Sequence, residues 1–153
     1  MNRLLTLLTT FISVSFFILS ISPPTLADAQ TASKNRHLLM KVLGANMKKL
    51  KQATDATSMV AAARIINDTS KRLDNDDLWP QGSGGEKSRA KIEIWQDMAG
   101  FKAKFKELEN ASAKLIEISM TDDLSASKKA FSAVGRTCGS CHKVFRNKGS
   151  TRH

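Results

Sequence analysis

Val134-Gly135-Arg136-Thr137-Cys138-Gly139-Ser140-Cys141-His142-Lys143-Val144-Phe145-Arg146, close to the C-terminus, decides how the rest of the chain is read. Inside it stands C-x-x-C-H, the attachment sequence for a c-type haem. Two cysteine sulfurs can form thioethers with the haem vinyl groups, and the neighbouring histidine offers a neutral imidazole nitrogen to the iron. The chain has two cysteines and three histidines, so both cysteines are committed to this motif. A zinc half-site would need two more ligands, which only His37, His153 or carboxylates remain to supply. A thioredoxin-like C-x-x-C would need alternating strands and helices, and chance is the third alternative.

The N-terminus is consistent with export, which haem attachment outside the cytoplasm requires. Arg3 precedes an apolar run from Leu4 to Ile21, and no further charge appears until Asp28. Pro23-Pro24 and a small-residue site come next, so residues 1–27 read as a signal peptide, with cleavage after Ala27 or Ala29. The run approaches the length of a membrane span, so an uncleaved anchor is the alternative. Removal of residues 1–27 takes away one arginine and no acid, leaving 23 basic against 14 acidic residues, or +9. The remaining residues 28–153 suffice for one domain. The basic surface can steer the protein to an acidic redox partner or an anionic membrane. Nucleic acid is a poor candidate, because no motif pairs basic residues with base-stacking aromatics.

Helical spacing runs through the mature chain, and strand-like alternation is absent. A first helix is predicted from about Ser33 to Lys51, with Arg36, Met40, Leu43, Met47 and Leu50 on one face. A second runs from an Asp55 cap to Asp77 and turns Met59, Ala63, Ile66 and Leu73 inward. Leu78 to Gly85 holds one proline and three glycines and makes a loop. In the third stretch Ile94, Met98, Phe101, Phe105, Leu108, Ser112 and Leu115 step by four and three. Thr121-Asp122-Asp123 breaks and recaps the chain. The fourth helix runs from about Ser125 to Asn147. Four such helices, each about 20 residues and ~30 Å long, make an all-α, antiparallel up-down four-helix bundle.

On a helix, Cys138 and His142 lie one turn apart on one face, with Cys141 about 60° round from His142. The haem edge is then stapled to the fourth helix. Arg146 falls one turn beyond His142, where it either tunes the imidazole or serves the helix dipole.

The chain resembles the class II c-type cytochromes, the cytochrome c′ family. The resemblance rests on Arg36-x-x-x-Met40-x-x-x-Gly44-x-x-Met47, on Ile94-Trp95, and most specifically on the block from Val134 to Arg146. The family often has a proline where this chain has Ile92, so the start of the third helix is open by a turn. The resemblance implies one covalently bound haem c, with His142 as axial ligand and the first helix facing the iron's other side. Met40 takes the sixth position there, either as a ligand, as in low-spin members, or as an apolar lid. His37 is the third candidate for that position, and otherwise a haem-edge contact. Arg36 matches an arginine that contacts a haem propionate, Arg89 falls where some relatives touch a haem edge, and Trp95 packs near the haem or the bundle end. The function expected first is a periplasmic single-haem electron carrier, not an enzyme, with His142 and Met40 on iron. The alternative is a five-coordinate haem that binds nitric oxide or carbon monoxide. A peroxidase would need a distal acid–base group, for which only His37 is available. The family also implies homodimers paired through the first two helices.

Overall fold

Each long helix starts on a polar side chain that accepts from its own first turn. The computed structural model describes residues 25–84 and 88–149, so the signal-peptide reading, apart from its last residues, and His153 lie outside the described residues. Helix α1 spans Leu26–Gln52 and opens on a capping box: Asp28 N–H donates to Thr25 Oγ1 at 3.3 Å, and Thr25 N–H donates to the Asp28 carboxylate at 3.1 Å. It therefore begins seven residues before Ser33, with its cap and first residues inside the stretch read as the signal peptide. Ala27, Ala29, Gln30 and Ala32 are good helix formers, and they extend the helix beyond its apolar stripe.

Helix α2, Ala56–Leu73, starts on Asp55, whose Oδ1 accepts from Ser58 N–H at 2.6 Å. It stops four residues short of Asp77. Asp74 N–H turns back to the Ser70 and Lys71 carbonyls, and Asp76–Leu78 winds into a 3₁₀ turn. The third predicted helix is two. Asp97 leaves helical geometry at φ −134°, ψ 64°, separating α3, Glu93–Gln96, from α4, Met98–Ser119. Its side chain caps α4 by accepting from Gly100 N–H at 2.9 Å. The apolar spacing survives this break, which hid it from the sequence. Helix α5, Leu124–Phe145, is capped by Asp123, whose Oδ1 accepts from Ala126 N–H at 2.8 Å. Asp122 stands before it at φ 60°, a conformation an aspartate tolerates in a tight turn.

The four long helices make the antiparallel bundle, and among the described residues the one β feature is an isolated bridge between Ala90 and Arg146. The seams α1/α2, α2/α4 and α4/α5 are closely packed, whereas α1 and α5 touch sparsely. At the α2/α4 seam Ser70 Oγ donates to the Phe105 carbonyl at 2.8 Å and Asn67 Nδ2 to the Glu109 carbonyl at 2.8 Å. These short side chains let the backbones approach while finding partners for their own buried donors.

On α1 Leu39 and Asn46 are buried with Leu43 and Leu50, while Met40 and Met47 are half-buried and packed against the core. The core stripe of α1 faces α2, and the two methionines are rotated toward α5. At the end of the bundle Trp79 packs edge-on to Phe101 (centroids 4.5 Å), which packs in turn on Phe145 (5.1 Å).

Candidate haem site

Residues 138–142 lie inside α5, so Cys138 and His142 share one helix face. Both cysteines are free, half-buried and packed against the core. The register of α5 against α1 is set by two contacts. Lys128 Nζ donates to the Ala53 carbonyl at 2.7 Å, and a Cβ on Gly135 would stand 3.9 Å from Met47 Cε. Both helices rise about 1.5 Å per residue, so seven residues further along each, Met40 comes level with His142. The resemblance had only paired these two residues; the antiparallel register sets them at one height across the sparse seam.

The donor set in this seam suits a haem better than a zinc ion. One wall carries two thiols and an imidazole, the other a thioether, which is a soft ligand appropriate to haem iron. Among the described residues no three of His, Cys, Asp and Glu gather as a metal cluster. A Cβ added at Gly44 or Gly139 would meet nothing within 4 Å, so neither wall is blocked at these positions.

Burial pushes the Cys141 thiol up to about 11, with smaller contributions from Cys138 and Glu107 that outweigh the opposing Lys104. Burial also raises Cys138. Both are therefore thiols at neutral pH. His142 is shifted the other way, first by burial and then by the Arg146 and Arg89 charges, so its imidazole is held neutral.

Arg146 closes the last turn of α5, its N–H donating to the His142 carbonyl at 3.3 Å; its backbone leaves in extended geometry, and its Nη1 comes within 3.3 Å of His142 Nδ1. A guanidinium only donates, so Nδ1 must be the acceptor in that contact. A neutral histidine bound to iron through Nε2 carries its proton on Nδ1 instead. Were Nε2 to take a metal, Nδ1 would carry the proton and this hydrogen bond would be given up.

Arg36 is buried, and it is neither an exposed helix charge nor free to serve a propionate with its whole fork. Its Nη1 donates to the Leu78 carbonyl (2.6 Å) and Ser83 Oγ (2.7 Å), and its Nη2 to the Ser83 carbonyl (2.6 Å) and Ser88 Oγ (3.3 Å). Its guanidinium lies 4.7 Å over the Trp79 ring. Burial pushes it down to about 10, still charged at neutral pH. Arg36 thus clamps Leu78, Ser83 and Ser88 to α1, a role the spacing did not show. Arg36→Met should cost about 3 kcal/mol of stability, because it leaves buried carbonyls without donors; urea unfolding of the holoprotein measures this, and a loss below about 1 kcal/mol would remove the clamp.

The remaining candidates are dispersed. His37 is exposed on α1. Arg89 is exposed and donates from Nε to the Asn147 carbonyl at 3.2 Å, and Asn147 N–H donates to the Arg89 carbonyl at 2.8 Å. It fastens the end of α5 to the segment before α3. Trp95 is half-buried at the bundle end and donates to the Trp79 carbonyl at 3.0 Å.

The family model for cytochrome c′ matches residues 31–146, the block from Val134 to Arg146 included. The chain belongs to the cytochrome c′ family. It takes the covalently attached haem c of that family, with the two cysteines present for attachment. It is 30% identical over 143 residues to cytochrome c-554 of Cereibacter sphaeroides, covering 86% of this chain and 93% of that one. At 36% and 37% identity it spans about half the length of two curated cytochromes c′. A solved cytochrome c′ described by a ligand-controlled dimer dissociation superposes with a TM-score of 0.71 at 28% identity, covering 82% of this chain and 100% of that one. The nitric oxide complex of a leucine-to-alanine mutant of cytochrome c′ from Alcaligenes xylosoxidans superposes with a TM-score of 0.70 at 27% identity, with the same coverage.

Proposed function

We propose that the chain is a periplasmic cytochrome c′ in which Cys138 and Cys141 hold the haem, His142 binds its iron, and nitric oxide or carbon monoxide binds on the side faced by Met40. Haem c, when bound, supplies an iron that cycles between ferric and ferrous states and takes up such gases when ferrous. The observation that carries the reading is the likeness to a solved cytochrome c′ in its nitric oxide complex, together with the register that puts Met40 level with His142.

The chain's own residues divide the work. Each cysteine adds its S–H across a vinyl C=C, forming one C–S and one C–H bond with no leaving group and no oxidant. The sulfurs then fix the haem edge to α5. His142 serves as a neutral imidazole, the form that burial and the two neighbouring arginines favour. Met40, half-buried on α1, lies over the opposite face and excludes water while a diatomic gas can pass. His37 is exposed, so this reading gives it no proton-transfer role.

The same register favours a second reading, an electron carrier with the Met40 thioether on iron. The optical spectrum of the ferrous protein before and after carbon monoxide separates the two. A high-spin spectrum that changes with carbon monoxide is expected; a low-spin spectrum unmoved by the gas would end the gas-binding reading.

Export is supported by the Arg3 and Leu4–Ile21 pattern, and among the described residues no helix is long and apolar enough to cross a membrane. A homodimer through α1 and α2 is supported by exposed Leu38 (58%), Val42 (37%) and Ile65 (40%) on the outer surfaces of those helices and by the dimer of the solved relative.

A further inference from the structure

Charge is divided unevenly round the bundle. Residues 29–54, nearly all of α1, carry six lysines and arginines and no acid. Residues 124–149, which comprise α5 and the four residues after it, carry six and no acid, whereas residues 55–123 carry ten basic against thirteen acidic residues. The two helices that border the sparse seam are thus the two cationic ones, and the body behind them is mildly acidic.

The exposed residues sharpen this. On α5 Lys129, Arg136 and Lys143 recur every seven residues on the exposed face, with small Ser132, Gly139 and Ser140 between them. Gly139 and Ser140 are the interior of the C-x-x-C motif itself. On α1 Lys34, Lys41 and Lys48 repeat the same spacing and are exposed, and Lys41 directly follows Met40. A cationic row therefore runs along each lip of the seam. The lysines of α4 contrast with these: Lys104, Lys106 and Lys114 pair with Glu107, Glu109 and Glu117 at 2.7, 2.7 and 2.9 Å.

The geometry points to the seam face, with its two cationic lips, as the docking surface for an acidic redox protein that passes electrons to the iron. This rests on the reading that His142 holds iron in the seam, and it serves either axial arrangement, since carbon monoxide capture also needs ferrous iron. Carboxylates on the partner would meet the lips, while Gly139 and Ser140 allow close approach beside the haem edge. An anionic membrane fits less well. The residues between the α5 cations are small and polar, and a membrane-seated face needs bulky apolar side chains to insert.

The test uses ferrous holoprotein and two small oxidants of opposite charge, hexacyanoferrate(III) and tris(phenanthroline)cobalt(III). A lip variant, Lys41→Glu/Arg136→Glu/Lys143→Glu, is compared with a body variant, Arg64→Glu/Lys71→Glu/Lys114→Glu, of equal net charge. At low ionic strength the lip variant should be oxidised about ten-fold more slowly by the anion and faster by the cation, with both effects shrinking in salt. Opposite movement matters, because a changed reduction potential would move both rates the same way. Equal behaviour of the lip and body variants would overturn the proposal, and so would same-direction shifts. Lip-dependent sedimentation with phosphatidylglycerol vesicles, without the rate pattern, would assign the face to a membrane and overturn it too. The carbon monoxide spectrum is indifferent to these surface charges, so the docking face and the gas-binding reading fail independently.

Discussion

Cys138→Ser/Cys141→Ser should yield a polypeptide from which acidic acetone extracts all of the haem, whereas the unaltered chain keeps it. No other cysteine exists to form a thioether, so the loss should be complete. Each single variant keeps one bond, and its alkaline pyridine spectrum should shift part of the way toward that of haem with free vinyl groups. The cysteines are half-buried against the core, and serine at both sites places two hydroxyls where thiols packed, at a further cost of about 1 kcal/mol or more each. Covalent haem persisting in the double variant would remove the motif from the attachment site.

Met40→Ala should open the iron's second face. With the side chain gone, carbon monoxide association by the ferrous protein should quicken about ten-fold, a barrier lower by about 1.4 kcal/mol, and the iron should stay high-spin. Flash photolysis or stopped-flow mixing measures this directly. An unchanged rate would take Met40 off the iron's face, whatever the family resemblance implies. A change from low-spin to high-spin iron on the same substitution would instead establish the methionine as a ligand and favour the electron carrier.

Much of the bundle was legible because its apolar residues recur with helical period and its breaks carry conspicuous residues. Asp55 and Asp123 cap the helices that follow them, and Pro80 and Gly82 stand in the segment between α2 and α3. The break at Asp97 was hidden because Ile94, Met98 and Phe101 keep their spacing across it, and only backbone geometry separates α3 from α4. The early start of α1 was missed for the opposite reason: its first turn carries no apolar stripe, and the Thr25–Asp28 capping box marks it. At the site, the motif named its own three residues. The burial of Arg36 could not be read from spacing, since its partners Leu78, Ser83 and Ser88 lie more than forty residues away in an irregular loop. The division of charge among the helices, by contrast, could have been counted from the sequence; it acquires meaning only once α1 and α5 are known to border the same seam.

The aromatic end of the bundle has an optical consequence. Both tryptophans of the chain meet there, Trp95 donating to the Trp79 carbonyl and Trp79 reaching Phe145 through Phe101. Phe145 is three residues beyond His142, so the protein's entire indole fluorescence originates beside the haem-bearing helix. A haem fixed to α5 will absorb that emission by energy transfer, and any event that swings α5 away from the loop at Trp79 will restore it. The chain carries an intrinsic gauge of its own maturation: dark when the haem is seated and the last helix closed, bright when either is undone.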